Sequence, residues 1–366
     1  MADLIVCKEL ATDNQNKIGV VRLNSEKTLN ALNQAMLDDL YEQLICWEQD
    51  DALVCVFMEG SGTKAFCAGG DVRALRAGVV DGDKQTPAAF FEKEYRLDYL
   101  IHTYPKPIIC WGNGIVMGGG LGLMAGADFR VVTDTSMIAM PEISIGLYPD
   151  VAGSWLLGRM PAGVGLFMAL TGCRLNGADA MYLGLANRFI DHAFKDSLLD
   201  SLQKADWQGD AYTVVYQVVQ EYTDNSAGWL PYSKIREHRD RITRLMDQQS
   251  LQHIMTALAA LKTDDEWLMK SLKTAASGSP LSAAISYRQL REARHMSLKE
   301  VFQSEMALSV NTVLQGDFCE GVRALLVDKS GQPQWQYDSV ADVDLQHLDR
   351  LFQSPWPEQA HPLRDL

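Results

Sequence analysis

Hydrophobic positions along this chain change period several times. Residues 18–23 (Ile-Gly-Val-Val-Arg-Leu) form a short β-rich run, and residues 53–58 form a continuous apolar run of strand length. Between them Asn30 is expected to cap a helix reaching about Gln49, with Leu32, Met36, Leu37, Leu40, Leu44 and Ile45 on one face. Residues 64–71 read as a small-residue loop, 87–103 as a helix, 108–111 as a strand, 112–117 as a turn, and 119–126 as the start of a helix. Residues 130–133 and 136–140 are strand-like, and 164–171 and 178–184 are helical. This alternation of strands and helices predicts an α/β architecture.

After about His192 strand-like runs thin out and helical periodicity dominates. Ser279 and Pro280 make a helix start, with Leu281, Ala284, Ile285 and Leu290 following. Ser297 and Glu300 form a capping box ahead of Val301, Phe302 and Met306. The chain is therefore divided into a core over residues 1–192 and a mainly helical region over 193–366. Its 366 residues suit such a two-part organisation.

Composition narrows the function classes. Lys and Arg number 33 against 47 Asp and Glu, a net charge of −14, which disfavours nucleic acid and anionic membranes as partners. Seven cysteines at irregular spacing, without a CxxC, read as free thiols in a reducing compartment. With no signal-like N-terminus, the expectation is a cytoplasmic protein. Residues 107–127 carry no charge and are long enough for a membrane span. Their many glycines instead suit a strand, a turn and a short helix in a protein core.

Familiar catalytic motifs are absent. There is no G-x-S-x-G, Walker A, G-x-G-x-x-G or H-E-x-x-H sequence, and no histidine has metal-ligand spacing, so no metal is expected. What remains are two glycine-rich elements and one acidic loop. Lys64-Ala-Phe-Cys-Ala-Gly-Gly-Asp71 and Gly118-Gly-Gly120-Leu-Gly122 each place bare backbone beside an apolar strand. Two converging N–H groups there could stabilise an oxyanion, although tight packing would require the same residues. In Met140-Pro-Glu142-Ile-Ser-Ile-Gly146-Leu-Tyr-Pro149-Asp150, the glycine and proline argue against one helix and for a loop carrying two carboxylates. Surrounded by apolar residues, such a carboxylate has its pKa raised and can act as base or nucleophile. A capping or salt-bridged acid is the simpler reading of the spacing alone.

Taken in order, Leu29-Asn-Ala-Leu-Asn33, the Lys64–Asp71 loop, the Gly118–Gly120 triplet and Pro141-Glu142…Gly146…Pro149 resemble the enoyl-CoA hydratase/isomerase (crotonase) superfamily. The resemblance implies a spiral of repeated ββα units and an acyl-CoA ligand. It implies an oxyanion hole from the amides of Gly70 and Gly119, and CoA held near Lys27, Lys64 and Ala68. Hydratases carry a carboxylate where this chain has Gly122. Glycine there, with acids at Glu142 and Asp150, resembles the 3-hydroxyisobutyryl-CoA hydrolase branch. Glu94 within Phe90-Phe-Glu-Lys-Glu94-Tyr95 matches that branch's substrate-contacting acid. Arg288-Gln-Leu290 and Asp317-Phe-Cys-Glu-Gly-Val-Arg323…Asp328-Lys329…Pro333-x-Trp335 resemble its extended helical tail. Ala152 stands where that branch usually has glycine, a departure expected to matter little.

This branch implies hydrolysis of a 3-hydroxyacyl-CoA thioester in valine breakdown. Glu142 would attack the carbonyl or activate water, Asp150 would bind the 3-hydroxyl, and Glu94 would position substrate. No cofactor beyond the substrate's own CoA is expected. A homo-oligomer is expected from the superfamily, although the tail could cover the usual contact surface. The alternatives are a hydratase or isomerase, and a non-catalytic acyl-CoA-binding protein.

Overall fold

The computed structural model describes residues 3–366. β1 (Ile5–Ala11) and β2 (Lys17–Leu23) pair antiparallel, and α1 (Gln34–Glu48) leads to β3 (Leu53–Gly60), which runs parallel to β2. Next come β4 (Ala65–Cys67), α2 (Val72–Val80), α3 (Thr86–His102), β5 (Ile108–Gly112), β6 (Ile115–Met117), α4 (Gly119–Ala125), β7 (Phe129–Val132) and β8 (Met137–Ala139). A 3-10 turn (Glu142–Ile145) precedes α5 (Gly153–Gly158), α6 (Val164–Thr171), α7 (Gly177–Leu183) and β9 (Arg188–Phe189). The remainder is helical: α8 (Lys195–Lys204), α9 (Ala211–Ser226), α10 (Lys234–Met246), α11 (Leu251–Ala260), α12 (Glu266–Ser277), α13 (Pro280–Glu292), α14 (Leu298–Gln315), α15 (Phe318–Val322) and α16 (Leu345–Leu351).

Strand order explains the architecture. One sheet runs β1-β2-β3-β5-β7-β9 and the other β4-β6-β8. From β3 to β8, each successive pair of strands gives one member to each sheet before the next pair begins. That is the expected spiral of ββα units. Residues 107–127, the uncharged stretch, supply β5, β6 and α4. Among the described residues, no helix is long and apolar enough to cross a membrane.

The chain separates into two compact units that interleave in sequence. One takes the chain through Gly70, Leu97–Ile138 and Leu175–Ser233; the other takes Asp71–Arg96, Ala139–Arg174 and Lys234–Leu366. A single cut near residue 192 does not describe this division. The reason lies in α8 and α9, whose faces bearing Leu198, Leu202, Val214, Val215 and Val219 pack with Ile18, Val20, Phe57, Trp111 and Val131 of the large sheet. The helical change after His192 is real, but its first two helices belong with the strands.

The second unit has its own core. The rings of Phe91, Tyr95 and Phe302 form a chain at 5.6 and 5.7 Å, bringing α3 against α14. Ser279 caps α13 with Pro280 in its first turn, and the Ser297–Glu300 capping box starts α14, both as expected.

Several local expectations are corrected. Asn33, not Asn30, caps α1, its side chain accepting the Met36 amide at 3.0 Å. Residues 112–117 are not simply a turn, because the three residues of β6 pair with β4 between flanking glycines. Asp71 ends the small-residue loop as the cap of α2, its carboxylate accepting the Ala74 amide. The edge strand β1 mixes apolar and charged positions, which hid it from the hydrophobic pattern. Of the seven thiols, Cys46 is exposed and Cys7 and Cys319 are half-buried; the other four are buried, and among the described residues none forms a disulfide.

Asn30 has a different task from capping. It is fully buried at φ 57°, a region that asparagine tolerates better than most residues. Its amide donates to the carbonyls of Ser61 and Ala65, and its oxygen accepts from the Ser25 amide. Asn30→Ala strips three backbone groups, one buried and two half-buried, of these partners. Urea unfolding should show a loss of about 2–4 kcal/mol; a loss below about 0.5 kcal/mol, typical of exposed sites, would contradict this role.

Candidate functional site

The glycine elements meet within the first unit. Leu32 donates to the Gly69 carbonyl at 2.8 Å, which pairs Leu32 with Gly70 in a parallel bridge. In that pairing the amide of Gly70 turns away from Leu32. Gly119 is the first residue of α4, so its N–H has no partner within the helix. Gly69, at φ 106°, lies so near that a Cβ placed there would be 3.3 Å from the Met117 carbonyl and 3.7 Å from the Gly119 nitrogen. The two loops therefore bring bare backbone together beside a helix N-terminus. Gly122, in the same helix, is buried and offers no side chain.

Loops carrying the expected CoA contacts also lie in this unit. Asn30 ties the stretch containing Lys27 to the one containing Lys64, through Ser25 and Ala65. The Ala68 amide donates to the Leu29 carbonyl at 3.0 Å. Lys27 and Lys64 are exposed and Ala68 is half-buried.

The carboxylates gather within the second unit. Glu142 opens the 3-10 turn, and Gly146 ends it in the left-handed region at φ 71°. A Cβ at Gly146 would sit 2.4 Å from the backbone of Asp317, so a side chain cannot fit. Asp317 accepts from the Ser279 hydroxyl at 2.6 Å and from the Gln336 amide at 2.9 Å, and Ser279 in turn donates its amide to the Ile143 carbonyl. The tail motif thus braces the loop that carries Glu142.

Glu94, Glu142 and Asp150 are 3%, 5% and 4% exposed, and no ion pair among the described residues includes them. One carboxylate oxygen of Glu142, Oε2, is buried with no hydrogen-bond partner. Burial, with the nearby charge of Asp150, pushes the Glu142 pKa well above the usual carboxylate range. Burial does the same to Glu94, aided by Asp150 and Glu142. Asp150 is raised to about 6 by burial, offset by the Tyr95 hydroxyl, which donates to its Oδ2 at 2.7 Å. A carboxyl so placed is a strong base once ionised, with one oxygen available to a reacting atom.

Known proteins resemble this chain over nearly its whole length. The enoyl-CoA hydratase/isomerase family profile matches residues 18–352. The chain belongs to the enoyl-CoA hydratase/isomerase family. A protein of Danio rerio named 3-hydroxyisobutyryl-CoA hydrolase, mitochondrial, is 38% identical, covering 94% of this chain and 90% of its own. Its Homo sapiens namesake is 34% identical, covering 95% and 89%. The crystal structure of an enoyl-CoA hydratase from Rhodobacter sphaeroides 2.4.1 superposes with a TM-score of 0.83 at 30% identity, covering 96% of this chain and 98% of that one.

For a member of this family, four supporting residues were not legible from motifs. Tyr95, Tyr148, Glu305 and Ser309 surround Asp150, and only Tyr95 and Tyr148 fell inside quoted motifs, without a role. Glu305 and Ser309 lie four apart on α14, a spacing that places both on one face. Sequence spacing also missed the group formed by Glu237, His238 and Asp265, which could in principle hold a metal. Lys234 already supplies a cation there, 2.9 Å from Glu237 and 3.1 Å from Asp265.

Ala152 is informative as well. It sits at φ 61°, so the glycine usual at this position relieves a backbone conformation that a side chain disfavours.

Stability should record the desolvation of Glu142. Its folded pKa lies above its unfolded value, so its burial is tolerated at low pH. Stability is lost as pH rises from the unfolded value through the folded one. Glu142→Gln removes that loss. The variant's Tm should exceed the wild type's increasingly as pH is raised from 5 to about 8; a Tm difference independent of pH would contradict a raised pKa.

Proposed function

We propose that this chain hydrolyses the thioester of 3-hydroxyisobutyryl-CoA, or a close 3-hydroxyacyl-CoA, to the free acid and CoA, as a step of valine breakdown. The observation that carries the reading is the pair of buried acids on one braced loop: Glu142 with an unpartnered oxygen and Asp150 held by Tyr95. Gly122 supports the same reading, since it removes the second carboxylate a hydratase would use.

Glu142 supplies the oxygen that attacks the thioester carbonyl, or takes the proton of the attacking water. The Gly70 and Gly119 amides donate to the carbonyl oxygen as it gains charge. The C–S bond breaks, the thiolate of CoA takes up a proton, and one water is consumed overall. Asp150 accepts from the 3-hydroxyl and orients the acyl group, with Glu94 positioning the substrate. Such chemistry balances without a metal or redox cofactor. Lys27 and Lys64, exposed in a chain of net charge −14, take the phosphates of CoA beside Ala68.

Self-association is part of the proposal, supported by exposed Tyr212, Tyr216, Trp229, Leu230 and Tyr232 along and after α9. We also assign the chain to a reducing compartment, the cytoplasm, on its buried thiols, although the vertebrate relatives carry the word mitochondrial in their names.

A thiol-release assay with 3-hydroxyisobutyryl-CoA tests the reading. Wild type should release free CoA, and Glu142→Gln should lower kcat by about 10²–10⁴ with little change in KM. Isobutyryl-CoA, lacking the hydroxyl, should turn over much more slowly. Hydration or isomerisation without thiol release, binding without turnover, or near-normal kcat in Glu142→Gln would each overturn it.

A further inference from the structure

Asp150 stands at the end of a line of hydroxyl groups that α14 completes. Tyr95 Oη lies 2.7 Å from Asp150 Oδ2 and 2.7 Å from Ser309 Oγ, and Ser309 Oγ lies 2.8 Å from Tyr148 Oη. All of these side chains are buried. Each hydroxyl has one proton, so the direction of the line is fixed once Asp150 is ionised. Tyr95 gives its proton to Asp150, so the bond between Tyr95 and Ser309 must be donated by Ser309. Ser309 can then only accept from Tyr148, whose single proton is shared with the Glu305 carbonyl 3.2 Å away. The protons of Tyr95 and Ser309 point toward Asp150 while that of Tyr148 is divided between Ser309 and Glu305, and hydrogen bonds in such a line strengthen one another in a low-dielectric interior.

The same helix grips the backbone next to Asp150. Glu305, one turn before Ser309, accepts the Ala152 amide at 2.7 Å and the Ser154 amide at 3.2 Å, and Ser154 also donates its hydroxyl to it. Val151 and Ala152 both have positive φ, 52° and 61°, a conformation that the Glu305 contacts hold in place.

Resting on the hydrolase reading above, we propose that α14, through Ser309 and Glu305, is a positioning element that keeps Asp150 an acceptor aimed at a substrate hydroxyl. Substrate preference for a 3-hydroxyl therefore has its origin partly in the helical tail. With Oδ2 occupied by Tyr95, Oδ1 is the oxygen left to accept from the substrate. An acyl group without a hydroxyl offers that oxygen no donor, and a site built to hydrogen-bond a hydroxyl discriminates against an analogue lacking it.

Other charged groups act on Asp150 as well. Glu94 from α3, Glu142 from the 3-10 turn and Glu305 from α14 are all buried acids whose own ionisation the charge of Asp150 opposes. Burial opposes the ionisation of Asp150, and the Tyr95 hydroxyl, with Asp150's own backbone amide, favours it. Losing the line therefore raises the Asp150 midpoint.

Carbon-13 NMR of protein labelled at the aspartate carboxyl carbons reads that midpoint without requiring turnover. Ser309→Ala should move it up by about half a pH unit or more, Tyr95→Phe by more still, and Ser309→Thr should restore it. In thiol-release assays, the ratio of kcat/KM for 3-hydroxyisobutyryl-CoA over isobutyryl-CoA should fall about tenfold in Ser309→Ala, the value of one lost hydrogen bond. A loss of folded protein would lower both substrates equally and leave the midpoint unmoved. An unchanged midpoint in both Ser309→Ala and Tyr95→Phe would overturn the proposal, whatever the activity. Failure of wild type to release thiol would overturn the hydrolase reading, while the NMR shift would still stand or fall alone.

Discussion

Four carboxyl groups, Glu94, Glu142, Asp150 and Glu305, are buried in one unit, and no lysine or arginine among the described residues forms an ion pair with any of them. Elsewhere the protein handles a buried acid differently. Glu59 is almost fully buried and is met by Arg22 at 2.5 Å and Lys195 at 2.6 Å. Burying an unpaired carboxylate is costly, and the group answers by holding its proton to higher pH. Glu305 shows the effect most plainly, its pKa pushed to about 8 by burial, despite three hydrogen bonds that favour its charge. Such an arrangement trades stability for reactivity, as active sites commonly do.

Much of the second unit serves to keep these acids where they are. Gly146 lets the loop press against Asp317, and Asp317 is itself fixed by Ser279 and Gln336. Glu305 fixes the turn beyond Asp150, and Tyr95 and Tyr148 converge on Ser309. The tail thus braces the loop and turn that carry these acids. Its motif residues continue the pattern away from the acids: Arg323 pairs with Glu320 at 2.7 Å, Trp335 donates to the Ser277 carbonyl at 3.0 Å, and Arg288 lies over Phe352.

How far the chain could be read beforehand depended on the range of each interaction. Ser279, Pro280, Ser297 and Glu300 were legible because a helix cap is decided within four residues. Glu142 and Asp150 were legible as a pair because a glycine and a proline between them break the helix. Asn30 was misread for the opposite reason: its partners Ser61 and Ala65 are more than thirty residues away. The interleaving of the two units was hidden likewise, because α8 and α9 have helical periodicity whichever surface they cover. Ser309 gave no local signal at all. An isolated serine in a helix acquires its role only when Tyr95 and Tyr148 arrive from distant segments.

Infrared difference spectroscopy on protein carrying carbon-13-labelled glutamate tests the central physical claim directly. Subtracting the spectrum of Glu142→Gln from that of wild type isolates the carboxyl stretch of Glu142. If the side chain is held protonated by burial beside Asp150, a protonated-acid band should persist at about pH 6 and give way to carboxylate only at higher pH. If the band disappears near the ordinary glutamate value of 4.5, Glu142 is not desolvated, and the account of this site fails at its foundation.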